Sequence, residues 1–147
     1  MRQPAHALFL AVCFAAFLPV PVRLEAADGL VRMIAHPTRA DGMTTADARA
    51  IYLKQKLFWR DGQPIIPINL EAGSDGRERF SERVFGQSSR RLARYWNQRY
   101  FEAGEFPPAT LASEEAVLRF VSQNPNAVGY VTAASLSDSV TVVLVLE

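Results

Sequence analysis

The residues best suited to chemistry lie where an apolar stretch, 65–70, gives way to a glycine-containing turn and then to Ser74, a residue type that often begins helices. The first backbone N–H groups of a helix lack intrahelical partners, and the helix dipole adds positive potential there. The pattern therefore predicts an oxyanion site. Its candidate ligands are Asn69, Gly73, Ser74, Asp75, Gly76 and Arg77.

An ordinary capped helix start fits the same residues, with Arg77 and Arg79 pairing to surface acids. Other chemistry has less support, because the sequence has no Gly-x-Ser-x-Gly elbow and no phosphate loop of the Gly-x-x-x-x-Gly-Lys type. The only histidines are His6 and His36, and His6 falls in the N-terminal segment. We therefore expect a protein that is not an enzyme and that uses no metal and no other cofactor.

Residues 1–26 are predicted to be a signal peptide. Arg2 precedes an almost wholly apolar run, 7–22, and Ala26 supplies a small residue at a cleavage site. A membrane anchor is the alternative, but Pro19 and Pro21 interrupt the run and no basic stop-transfer cluster follows. The sequence thus predicts export to the periplasm, with no stable membrane span after cleavage.

The mature chain is predicted to be electrically balanced. The whole sequence has 16 basic and 15 acidic residues, and loss of Arg2, Arg23 and Glu25 leaves 14 of each. Balanced charge argues against a general nucleic-acid binder. The arginines of segment 90–99 are better explained as the solvent-facing side of an amphipathic helix that packs through its aromatic residues.

Residues 27–147 alternate strand and helix patterns and form one predicted structural unit. Strands are expected at 30–35, 65–68, 127–131 and 140–146, and helices after Thr44, Ser74, Ser88 and Ser113. Pro67 cannot donate to a sheet, which favours an edge strand or a strand end. Segment 140–146 is apolar on both faces, which is typical of a central strand. The predicted fold class is a three-layer α/β/α domain.

Several of these patterns together resemble the phosphate-type substrate-binding proteins of ABC transporters. The resemblance runs from Val31 to Val131, and the segments that carry it are 53–62, 65–69, 73–80 and 124–131. It implies the type 2 periplasmic-binding-protein-like fold. That family has two lobes, whereas residues 27–147 correspond to a single lobe.

Within the resemblance, Ser74 falls on the family's serine, Asp75 on its glycine and Gly76 on its threonine, while Arg77 falls on a basic residue that often follows. Asp75 adds a negative charge, Gly76 lacks a hydroxyl, and Asn69 or Leu70 stands where the family's strand usually ends in arginine. These are departures from the family pattern.

The resemblance implies an exported, non-enzymatic binding protein for phosphate or another small oxyanion. Its expected partner is a transporter permease or a second protein that completes the cleft, because a half-cleft leaves its ligand exposed to water. The alternative is a periplasmic interaction or accessory domain that kept the fold without ligand binding.

Overall fold

The computed structural model describes residues 30–132, 136 and 138–147, so the predicted signal peptide lies outside the described residues. Five strands form one sheet: β1 (Val31–Ala35), β2 (Ile66–Leu70), β3 (Ala109–Leu111), β4 (Ala127–Val131) and β5 (Thr141–Leu146). The α-helices are α1 (Thr45–Tyr52), α2 (Asp75–Phe85), α3 (Ser89–Ala103) and α4 (Glu114–Gln123). None of these helices has the length and hydropathy needed to cross a bilayer.

The sheet is mixed, with the order β3-β2-β4-β1-β5. β2 runs parallel to both β3 and β4, and β1 runs antiparallel to both β4 and β5. The parallel half carries the candidate site, since Asn69 and Leu70 lie at the carboxyl end of β2. The turn that follows leads directly into α2.

Two adjacent residues of β4 show that helices cover both faces of the sheet. The ring of Tyr130 stacks on Phe80 of α2, whereas a Cβ added to Gly129 would meet Val117 of α4. Successive residues of a strand point to opposite faces, so α2 and α4 lie on opposite sides. Tyr52 of α1 also contacts Phe80, which places α1 with α2. The predicted three-layer α/β architecture is confirmed.

The helices begin where their capping residues predict. The Thr44 hydroxyl accepts from the Asp47 N–H, and the Asp47 carboxylate accepts from the Thr44 N–H, forming a capping box. Ser74 and Ser113 cap α2 and α4 through their hydroxyls. Ser88 begins α3 but makes no side-chain capping bond. Each cap satisfies an N–H group that the helix leaves unpaired.

The prediction of a central strand at β5 is wrong, and one of the two alternatives predicted for Pro67 is excluded. β5 is an edge strand rather than a central one, and its Val142 and Val145 are 38% and 46% exposed. β2 is an interior strand rather than an edge strand. Of the two predicted explanations for Pro67, the remaining one is that it lies near a strand end. The N–H of Ile66 donates to the Asn126 carbonyl beside β4, so the nitrogen of the next residue, Pro67, faces β3. Pairing between β2 and β3 begins only at Ile68, so the missing N–H of Pro67 costs no sheet hydrogen bond.

Candidate functional site

The turn before α2 is held closed by Ser74. Its hydroxyl accepts from the Arg77 N–H at 3.3 Å and donates to the Glu71 carbonyl at 2.8 Å. Gly73 has a φ of 85°, a left-handed conformation that favours glycine. Both hydrogen bonds of the Ser74 hydroxyl are therefore made to the backbone at the start of α2, so its role in this geometry is structural.

Asp75 is paired along the surface of α2. Its carboxylate accepts from Nε of Arg79 at 2.7 Å, one helical turn further on, and its side chain is 76% exposed. Exposed pairs of this kind contribute little stability. The negative charge that departs from the family pattern is thus partly balanced by a neighbouring arginine.

Gly76 is buried against the neighbouring carboxylate of Glu114. A Cβ on Gly76 would lie 2.8 Å from Leu70 Cδ1 and 3.1 Å from Glu114 Oε1. The same Glu114 oxygen accepts from the Thr132 N–H at 2.9 Å and from its hydroxyl at 2.6 Å. The chain therefore places its own carboxylate over the first turn of α2, which disfavours a second anion on that side.

Arg77 points its charge into the protein. Its Nε and Nη1 atoms are buried and have no hydrogen-bond partner among the described residues. Burial raises the pKa of the neighbouring Tyr52 and Tyr130 hydroxyls, and the positive charge of Arg77 opposes that rise. Buried guanidinium nitrogens without an acceptor are costly, so these two nitrogens are available to an incoming anion.

Asn69 lies beside Arg77 and is only 3% exposed. Its Oδ1 accepts from the Tyr130 hydroxyl at 3.2 Å, and that hydroxyl in turn accepts from the Leu70 N–H at 3.1 Å. Because the oxygen end of the amide is held by Tyr130, its N–H groups are the donors left for a ligand.

Asn69 and Arg77 open into a pocket of about 370 Å³ between β2, α2, α3 and the loop after α3. Both polar groups and apolar rings line this pocket. The lining residues are Asn69, Arg77, Ala93, Trp96, Asn97, Tyr100, Phe106, Pro107, Pro108 and Thr110. A pocket of this size and mixed polarity suits a small organic molecule.

The structure thus divides the predicted site residues. Asn69 and Arg77 come together in the pocket, while Gly73, Ser74, Asp75 and Gly76 lie outside its lining. Sequence reasoning missed the aromatic wall, formed by Trp96, Tyr100 and Phe106, and the polar residues Asn97 and Thr110, of which Thr110 lies beside Asn69 in the sheet. The aromatic spacing of α3 was a signal for this wall, but it equally indicates packing. Among the described residues, no group of three or more His, Cys, Asp or Glu could hold a metal.

Comparison with solved structures finds proteins of similar fold. The chain is similar to a protein from Clostridium perfringens assigned as a phosphate ABC transporter substrate-binding protein and solved with bound phosphate. The two share 23% identity and a TM-score of 0.60 over 77% of this chain and 43% of that one. The fold is that of the phosphate-type substrate-binding proteins. The resemblance predicted from the sequence is therefore confirmed at the level of fold.

A second similar structure is an ABC-type phosphate transport receptor from Vibrio cholerae, with 18% identity and a TM-score of 0.61 over 82% of this chain and 51% of that one. The chain thus spans about half the length of these solved proteins or less. Sequence comparison finds no matching family model and no matching curated protein.

Proposed function

We propose that this chain is an exported, non-enzymatic binding protein for phosphate or another small oxyanion, held by Arg77 and Asn69. The single observation that supports the site is the buried Arg77 guanidinium, two of whose nitrogens have no acceptor among the described residues. An oxyanion would supply those acceptors through charge-assisted hydrogen bonds. The fold supports the class of protein, since the solved relatives are phosphate receptors or binding proteins of transporters.

The direct test is calorimetric titration of the chain with inorganic phosphate at low salt. We expect a dissociation constant of about 1 mM or tighter, since one wall of the site faces solvent. Arg77→Ala should weaken binding at least about tenfold, and Arg83→Ala is the matched control, because Arg83 is exposed on the same helix. Absence of measurable heat for wild type, or equal affinity of the two variants, would remove the phosphate-site proposal.

Export is tested by following the full chain in a Gram-negative host. The proposal expects a periplasmic product shortened by about 26 residues at its N-terminus. A Leu10→Arg change in the apolar run should hold the chain in the cytoplasm at full length. A full-length periplasmic wild-type product would contradict cleavage, and a cytoplasmic wild-type product would contradict export.

One observation favours the alternative of an interaction or accessory domain. Tyr100, Phe101 and Phe106 form an aromatic cluster at the end of α3, with 47%, 84% and 62% exposure. Exposed aromatics are enriched in protein interfaces. In this alternative the chain crosslinks to a periplasmic partner, and Phe101→Ala abolishes the crosslink. A chain that stays monomeric and crosslinks to nothing counts against it.

A further inference from the structure

We infer that the ligand of this pocket is an organic oxyanion, with a charged head at Arg77 and Asn69 and an apolar, ring-sized body against Trp96, Tyr100 and Phe106. This inference rests on the proposed function and deepens it. It names the chemical class of ligand as a phosphate monoester or a similar anion attached to a hydrophobic group, rather than the free inorganic ion.

The charged and polar head-group ligands lie at the inner end of the pocket. Asn69, Arg77 and Trp96 line both the 370 Å³ pocket and a smaller cavity behind it, which also touches Tyr52 and Phe80 in the core. These three residues therefore form the inner end of the pocket. A head group that reached Arg77 would leave water and enter a place where charge pairing is strong.

The aromatic rings extend from the inner end of the pocket to its mouth. Tyr100 and Phe106 contact each other with 5.1 Å between ring centroids, and both remain substantially exposed. Trp96 is 5% exposed and lies deeper on the same wall. The apolar surface therefore extends from the inner end to the mouth, and a ligand body would cover rings that now face solvent.

The pocket is larger than an inorganic oxyanion requires. A single inorganic oxyanion has five heavy atoms, whereas pockets of about 300 Å³ and above accommodate organic ligands. Phosphate alone would contact Arg77 and Asn69 and leave the aromatic wall unused. An aromatic or alicyclic ester would add burial of apolar surface to the same charge pairing, and so would bind more tightly.

The experiment compares phenyl phosphate with inorganic phosphate by calorimetry in one buffer, with phenol as the neutral probe. We expect phenyl phosphate to bind at least about tenfold tighter than phosphate, which is about 1.4 kcal/mol, and phenol to bind more weakly than phenyl phosphate. Phe106→Ala should bring the ratio of the two phosphate affinities toward one. Phe101→Ala should leave the ratio unchanged, because Phe101 is also an exposed phenylalanine, even more exposed than Phe106, but does not line the pocket.

The outcomes separate the two proposals. Phosphate binding that depends on Arg77, with phenyl phosphate no tighter, would overturn this inference and keep the proposed function. A preference for phenyl phosphate that survives Phe106→Ala would also overturn it. Tight phenyl phosphate binding unaffected by Arg77→Ala would remove the charged head from the site and contradict both. No binding of any probe would likewise reject both.

Discussion

The ring of Tyr130 stacks face to face on the ring of Phe80, with 3.8 Å between centroids and 2° between planes. This contact joins the central strand β4 to α2. The hydroxyl of the same Tyr130 bonds Asn69 and Leu70 at the end of β2. One side chain thus connects the hydrophobic core to a residue of the candidate site.

Tyr130→Phe should therefore affect stability and binding together. The stacking is kept, but the buried Leu70 N–H loses its acceptor, and unfolding free energy should fall by about 1–3 kcal/mol. Phosphate affinity should fall as well, because the Asn69 amide loses the bond that orients it. Urea denaturation and calorimetry measure the two effects. Tyr95→Phe, on α3, is the control, and an equal loss of stability there would reject the assigned role of the Tyr130 hydroxyl.

Arg77→Met should raise stability while abolishing phosphate binding. The substitution removes a buried charge whose Nε and Nη1 have no partner in the part of the chain that the structure describes, and it keeps much of the apolar volume. We expect a gain of about 1 kcal/mol in denaturant unfolding without phosphate. Phosphate should raise the melting temperature of wild type but not of the variant, by mass action. A variant less stable than wild type would show that the guanidinium is already satisfied.

Acid should weaken the start of α1. Hydrogen bonds from Lys56 and Thr44 lower the pKa of Asp47 from 3.8 to about 2. A folded-state pKa below the unfolded value means that the stabilisation is present above pH 4 and is lost as the pH falls toward 2. Asp47→Asn should cost about 1 kcal/mol at pH 7, allowing for solvent screening, and much less near pH 2.

The measurement is the unfolding free energy of both proteins across that pH window. Asp41→Asn is the control, because Asp41 is an exposed acid in the loop before the helix. A difference between Asp47→Asn and wild type that persists unchanged at pH 2 would contradict the assigned ion pair and capping box.

Gly129→Ala should destabilise the protein through overpacking. The added Cβ would lie 2.5 Å from Val117 Cγ1, and we expect a loss of about 1–3 kcal/mol. Adding Val117→Ala should recover part of that loss in the double variant, although Val117→Ala alone destabilises. Gly42→Ala is the control, since no atom of the described residues lies within 4 Å of its added Cβ. Purely additive losses would show that the two side chains do not meet.

Helix starts were predictable because the sequence contains both partners of a local contact. The cap of α1 joins Thr44 to Asp47, and the caps of α2 and α4 also span three residues. Strand neighbours were not predictable in the same way. The hydropathy of Thr141–Leu146 shows that both faces are apolar, but the partner on each side depends on the whole chain. Strand β3 has three residues, too few to give a periodic signal.

The site was half predictable for a related reason. Asn69 and Arg77 flank a recognisable strand-to-helix junction, so the sequence predicted both as candidates, and the structure places both in the lining of one pocket. Trp96 and Tyr100 share one helical spacing, although the first is buried and the second is exposed. The loop after α3 places Phe106 beside Tyr100, and this contact makes the exposed end of the helix face a pocket wall rather than a packed surface. Helical spacing alone does not reveal that contact.

The position of β1 in the sheet has a consequence for synthesis of the chain. In the described fold β1 lies between β4 and β5, and Ala35 pairs with Val128 while Val31 pairs with Leu146. At ribosomal rates of about 5–20 residues per second, the nearer of these strands emerges on the order of 5–20 s after β1. Throughout that interval β1 is an apolar segment whose two neighbouring strands have not yet been synthesised, and a chaperone or translocation factor can hold it extended.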